Sequence, residues 1–475
     1  MERPSPPEAF SEAANRLAEA GSSLLALPCL AGEYADLFLE STIRTRAWLI
    51  ASGRGPAGWS LTRWHDGGLG VRVERGGAQG IGSTTGWMPT DWIGAASRAE
   101  AALRAPSEGR GREDEPPDRS LLPSDALDVV VESDLRALLE GYADAAFAME
   151  DRTQEVRLEF RGVRRRTALA NRETGTRRQE AVSVEIRLTV TIRGVASPGI
   201  SVRGSGAGLT PLYLEGVEQP VREALHAARC AAEARPHPPG RYPAVVAGGW
   251  GGVLLHEAVG HALEADVAGA WTERRLGDRV APEAVTLVDD PTAPGRRGSA
   301  SFDDEGTPTA ERPLVAGGCL TGRLSDRRTV LAGGPAPAGN GRRQDFRHPP
   351  LPRMSNLCLR PGGESLDTLL SSVDDGLYIR RLGGGRYDPA AGTFRVAWAE
   401  AFRIERGKPT YPLAAGALVG NTRDFLMGIE GIGGEVEWDA GHGHCEKRGQ
   451  VVPIGTAMPS IRIASIVVVP VEQGP

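Results

Sequence analysis

HEAVGH, residues 256–261 within GGVLLHEAVGHALEAD, sets two histidines five positions apart inside an apolar run. In a regular helix of about 3.6 residues per turn, an interval of five rotates two side chains about 140 degrees apart. His256 and His261 would then face different directions. A locally widened turn of the π type returns an i,i+5 pair to one face. Gly260 permits such a distortion, although glycine costs a helix about 1 kcal/mol relative to alanine. The motif predicts a distorted helix whose two imidazoles converge.

The residue types suit metal chemistry. Neutral imidazoles are zinc ligands, and Glu257 can stay outside the coordination shell, take a proton from activated water and pass it to a leaving amine. A third ligand is needed, and Glu264, Asp266, His442, His444 and Cys445 are candidates. The late cluster GHGHCEKRG is attractive because a soft thiolate and imidazoles suit zinc. Ordinary hydrogen-bonded histidines are the competing reading. GGWGG, residues 248–252, lacks both GxGxxG and the lysine-bearing phosphate loop, so nucleotide binding is not expected there.

A chain of 475 residues calls for two domains or more. Helical spacing covers residues 8–25, YADLFLESTIRTRAWLIASG reads as two strands, and RWHDGGLGVRVERGGAQGIGSTTGW as antiparallel hairpins with glycines at their turns. Helices follow near 90–104 and 131–150, separated by SEGRGREDEPPDRSLLP, a charged connection or surface loop. Strands from 155 give way to a helix over VEQPVREALHAARCAAEARP, and the prolines of RPHPPGRYP, residues 235–243, end it. These signals divide the chain into an amino-terminal α+β domain, 1–238, and a sheet-rich domain, 239–475, that carries HEAVGH. Strand and helix do not alternate strictly, which disfavours a doubly wound sheet.

The net charge of −6 gives no bias toward nucleic acid or an anionic membrane. No 18-residue apolar segment and no basic-then-apolar leader occurs, so a cytoplasmic protein is expected. Cys29, Cys230, Cys319, Cys358 and Cys445 are scattered without a CxxC pair, against a disulfide framework.

GGVLLHEAVGHALEAD closely resembles the signature of the TldD/PmbA family of metalloproteases, in its HExxxH-bearing, TldD-like branch. FDDEGTPT (302–309), NGRRQDFRHPPLPRMSNLCLRPG (340–362), DDGLYIRRLGGG (374–385) and AFRIERGKPTYPLAAGALVGN (401–421) resemble further family stretches in order, as do YADLFLE and GVRVERGGAQGIGSTT in the first domain. The resemblance implies an α+β fold, with an α/β amino-terminal domain followed by a barrel-like carboxy-terminal one. It implies Zn2+ held by His256, His261 and a late cysteine that maps to Cys445, with Glu257 as general base. Glu446 and TAMPS depart from the usual run after that cysteine, so His442 and His444 remain alternatives. It also implies a homodimer, or a heterodimer with a motif-lacking relative, whose cleft takes unfolded or short peptides, and roles in peptide maturation or removal of unstable proteins.

Asp303, Asp304 and Glu305 lack calcium-loop spacing and read as a charged turn or as a substrate-cleft or interface loop. Arg342, Arg343 and Arg353 suit recognition of backbone carbonyls or carboxylates by guanidinium forks. Two other functions fit the same residues: a metal-stabilised, non-catalytic peptide-binding or assembly subunit, and a biosynthetic amide hydrolase acting on a small molecule.

Overall fold

The computed structural model describes residues 6–26, 30, 33–53, 56–104, 120–121, 131–267, 273–331, 336, 338–441 and 443–471. Most of the connection SEGRGREDEPPDRSLLP, and His442, lie outside them.

The first sheet is built from β1 (Tyr34–Ala51), β2 (Pro56–Arg75), β3 (Ala78–Thr84), β4 (Thr153–Asn171), β5 (Gly175–Ile192) and β6 (Gly199–Ser205), in the order β3-β2-β1-β4-β5-β6. All these pairings are antiparallel. Residues 34–51, expected as two strands, form one. No turn residue interrupts the run, and β1 is flanked almost end to end by β2 and β4. Gly76 and Gly77 take positive φ at the β2–β3 turn, as that tight reversal requires. Gly67, Gly68 and Gly70 instead lie within β2, and a Cβ on Gly70 would meet the Phe346 carbonyl oxygen at 1.9 Å. These glycines admit a neighbouring chain and do not make a turn.

Helices cover one face of this sheet. Helices α1 (Pro6–Leu25) and α2 (Pro89–Arg104) bury Phe10, Leu17, Trp92 and Ala95 against Leu37, Leu39, Leu69 and Val71. Helices α3 (Glu132–Met149) and, further along, Glu218–Glu233, here α4, bury Leu135, Leu139, Val221 and Leu225 against Ala47, Leu49, Leu158 and Ile186. The period-2 apolar set of the strands and the helical set meet on that face.

The proline-rich breaker leads into β7 (Gly240–Val246), the first strand of the second half. Further strands are β8 (Leu287–Asp289), β9 (Arg312–Ala316), β10 (Asn356–Leu359), β11 (Asp375–Asp388), β12 (Thr393–Glu405), β13 (Gly416–Asn421), β14 (Ile429–Trp438), β15 (His444–Lys447), β16 (Gln450–Pro453) and β17 (Gly455–Pro470). Strand β7 runs parallel to β11; antiparallel pairings then carry β11 to β12, β13 and β17, and β17 returns to β7. Five strands thus close into a barrel, which leaves no edge among them. The early part of β17 also pairs with β10, from which β8 and β9 extend the sheet outward. Within the segment 252–263 every residue except Val253 is buried, and Leu254, Leu255, Ala258, Val259 and Leu263 share one core with barrel residues such as Leu377, Ile379, Val396 and Ile461. Its apolar residues place this segment in the core, and they take His256, Glu257 and His261 into the interior with them.

The two halves meet across buried charge. Arg72 on β2 reaches Asp36 at 2.5 Å and Glu305, from the second half, at 2.7 Å. Arg343 reaches back to Asp36 at 3.3 Å, and Arg165 links Glu40 and Asp304. Phe38, Leu169 and Phe346 pack beside them. Charges removed from water are tolerated only when paired this closely. Among the described residues no helix is long and apolar enough to cross a membrane.

Candidate metal centre

The chain around HEAVGH changes helical type twice. Gly252–Leu255 is α-helical, His256–Gly260 is a π turn, and His261–Leu263 tightens to a 3₁₀ turn that ends at extended Glu264. The His261 N–H donates to the His256 carbonyl, five residues back. That bond swings both imidazoles to one side, with ring centres 4.7 Å apart and planes at 81°. Gly260 sits where a Cβ would lie 2.0 Å from Met354 Sδ, so its missing side chain lets the turn settle on the segment leading into β10.

Cys445 arrives from β15, in a hairpin closed by Arg448 and Gly449 at positive φ. The ligand atoms of His256, His261 and Cys445 lie within 4.8 Å of one another, and all three residues are buried. Cys445 Sγ is 3.9 Å from His261 Nε2, and Glu257 Oε2 is also 3.9 Å from that nitrogen. His256 is 4% exposed, yet neither of its ring nitrogens has a hydrogen-bond partner among the described residues. Such groups in native proteins are nearly always satisfied. Two imidazoles and one thiolate converging on the same space, one imidazole otherwise orphaned, fit a zinc-class cation and leave a fourth position open.

Surrounding groups hold the donors. Glu264 accepts from His261 Nδ1 at 3.1 Å and pairs with Lys447 at 3.0 Å. Burial works against charge on His261, but Glu264 and Cys445 outweigh it and raise its pKa well above the usual value. Burial raises the Cys445 thiol, but the imidazoles of His256 and His261 outweigh it and hold it well below the ordinary range. Glu264 is pulled down to about 2, because Lys447 and His261 overcome its burial. Arg353 donates from Nε to Cys445 Sγ at 3.3 Å and from Nη2 to the carbonyls of Cys445 and Gln450. Tyr387 stacks on His261 at 6.1 Å, and a Cβ on Gly385 would meet Glu257 Cγ at 2.6 Å.

The other candidates fall elsewhere. Glu264 stands behind His261 as its orienting partner, and Asp266 is bound to Lys447 and Arg448. Strand alternation turns His444 away from buried Cys445 and outward, where it meets Arg297 at 3.0 Å. Asp303 caps its own turn, accepting from the backbone N–H groups of Glu305, Thr307 and Gly341. Asp304, Glu305 and Arg343 lie in the ionic joint between the halves. Arg342 donates to the carbonyls of Met354 and Pro453. Arg342, Arg343 and Arg353 thus do grip backbone carbonyls, but those of their own chain. Sequence reasoning gave no role to Gly385, Tyr387 or Lys447; DDGLYIRRLGGG stands out as a family-like stretch with a glycine run, and neither feature assigns a role to any one of its residues.

Residues 239–469 match the family described as PmbA/TldA metallopeptidase C-terminal domain. Over 469 residues the chain is 31% identical to a metalloprotease TldD homolog of Haemophilus influenzae, with 92% of each chain covered. It is 32% identical over 229 residues to a zinc metalloprotease TldD homolog of Saccharolobus solfataricus, covering 48% of this chain and 51% of that one. The crystal structure of TldE from Thermococcus kodakarensis has the same fold, with a TM-score of 0.67 at 18% identity over 96% of this chain and 99% of the other.

Proposed function

Since the chain belongs to the TldD/PmbA family, we propose that it is a zinc-dependent peptidase acting on unfolded or short peptides. His256, His261 and Cys445 are its metal ligands and Glu257 its general base. The observation that carries this reading is His256, buried and without a hydrogen bond among the described residues, facing the same space as His261, Cys445 and Glu257. The relative named a zinc metalloprotease supports the choice of metal.

A zinc ion in this donor set would lower the pKa of water and polarise a peptide carbonyl. The protein's own part is positional. The π turn aims both imidazoles, Glu264 fixes the His261 ring through Nδ1, and Arg353 holds Cys445 at its sulfur and its backbone. Outer partners of this kind keep ligands oriented. Glu257 lies beside the donors without joining them, with room for its stem because position 385 has no side chain. From there its carboxylate takes the proton of water and delivers it to the departing amine.

The test pairs metal content with turnover on a mixture of unfolded peptides. Glu257→Gln should keep about one zinc per chain while hydrolysis falls by roughly 10²-fold or more. His256→Ala and Cys445→Ala should lose the metal. Full metal in both variants would overturn the ligand set, and undiminished hydrolysis by Glu257→Gln would overturn the role of the base. We further propose that the working unit is a dimer, with a second copy or a motif-lacking relative. Full peptidase activity from a monomer in sedimentation would refute this.

A further inference from the structure

A second cluster of metal-capable side chains lies where α4 of the first half meets the barrel. His226 and Cys230, four apart on α4, share one helical face, and Glu400 projects from β12 to meet them. His226 Nε2 is 2.8 Å from Glu400 Oε1 and 3.3 Å from Cys230 Sγ, and Cys230 Sγ is 3.7 Å from Glu400 Oε1. Tetrahedral zinc, with bonds of about 2.0–2.3 Å, sets its ligand atoms about 3.3–3.8 Å apart. The two separations from Cys230 Sγ agree with that spacing, while the His226–Glu400 pair, in direct contact at 2.8 Å, would open by about half an ångström to admit the ion.

Glu400 supplies an independent indication. Its side chain is 2% exposed, and its Oε2 has no hydrogen-bond partner among the described residues. A bare carboxylate oxygen in a buried place lacks the compensation that such groups normally find. Arg380 at 2.6 Å, His226 and Cys230 all meet Oε1, so the carboxylate's charge is balanced and its spare capacity to coordinate is on Oε2.

We propose that His226, Cys230 and Glu400 form a second site, for a divalent cation of the zinc class, sharing no residue with the HEAVGH centre. Nitrogen, sulfur and oxygen each come from one residue, and the half-exposed His226 leaves the fourth position to water. Cys230 binds as thiolate, so the entering cation displaces its proton to solvent. Because α4 packs on the first sheet and β12 belongs to the barrel, one cation would clip the two halves together away from the ionic joint.

The experiment is equilibrium dialysis of the full chain against Co2+, comparing wild type with Cys230→Ser and His226→Ala, each checked for native circular dichroism. Wild type should bind about one equivalent more than either variant. The wild-type minus Cys230→Ser spectrum should contain a thiolate-to-cobalt charge-transfer band. The same differences are expected in a His256→Ala background, so the result is readable whatever the first centre does. Equal cobalt content in wild type and Cys230→Ser overturns the proposal, as does a content difference without the charge-transfer band.

Discussion

Gly260→Ala tests whether the π turn depends on close packing at its glycine. Position 260 is helical, at φ −54 and ψ −51, so alanine meets no backbone strain there. By helix propensity alone the change would stabilise by about 1 kcal/mol. Against that, the new Cβ would lie 2.0 Å from Met354 Sδ and 3.2 Å from Leu357 Cδ2, and both residues are fully buried. Overpacking of this kind costs about 1–3 kcal/mol, so the net effect should be a loss of about 0–2 kcal/mol. Met354→Ala alone leaves a cavity and costs about 2–5 kcal/mol. In that background the added methyl enters the vacated space, and Gly260→Ala should become stabilising by about 1 kcal/mol, a coupling of about 1–3 kcal/mol. A chain with two sheets need not unfold in one step, so the measurement is hydrogen exchange of the amides from 252 to 263, which reads local opening. Gly260→Ala should weaken their protection in wild type and strengthen it beside Met354→Ala. Equal shifts in both backgrounds, or a gain in wild type, would refute the packing argument.

Other substitutions probe the base, the joint and the first sheet. Gly385→Ala crowds Glu257 Cγ and Val396, so hydrolysis should fall roughly 10²-fold with metal content unchanged, and unaltered turnover would count against it. Glu305→Ala leaves Arg72 buried with only Asp36 and Glu74, and should cost about 3 kcal/mol, seen as faster limited proteolysis between the halves; wild-type resistance would contradict this. His65, buried beside Ser41 on the first sheet, has its pKa lowered to about 4, mainly by desolvation. The folded protein therefore binds fewer protons than the unfolded chain between about pH 6.5 and 4. Its contribution is complete above that window and lost as pH falls through it, amounting to about 3 kcal/mol. His65→Gln should flatten the pH dependence of stability there, and an unchanged slope would refute the assignment.

The parts of this protein legible in its sequence are those set within a turn or two of the chain. Five-residue spacing with Gly260 leaves little but a widened turn if both histidines are to face one way, and the turn is there. Helical and alternating apolar patterns located α1, α2, α3, α4 and the strands of the first half, because burial of one face acts residue by residue. The unbroken length of β1 was not legible, since it depends on two neighbours pairing along it. Strand alternation separates His444 from Cys445, but only once β15 has been placed against the barrel does one of them point at the histidines.

Arg353 meets Cys445 across 92 residues and Arg343 meets Asp36 across 307, so no local pattern could distinguish these arginines from surface ones. The same holds for Glu305: an acidic run that reads as a charged turn or as a cleft or interface loop does not say that it will lie between Arg72 and the Arg327 backbone amide. Local backbone geometry is decided by neighbours in the chain, and the sequence states those outright. The company a buried charge or thiol keeps is decided by which distant segments close the barrel and dock the sheet, and that is set only when the whole chain has folded.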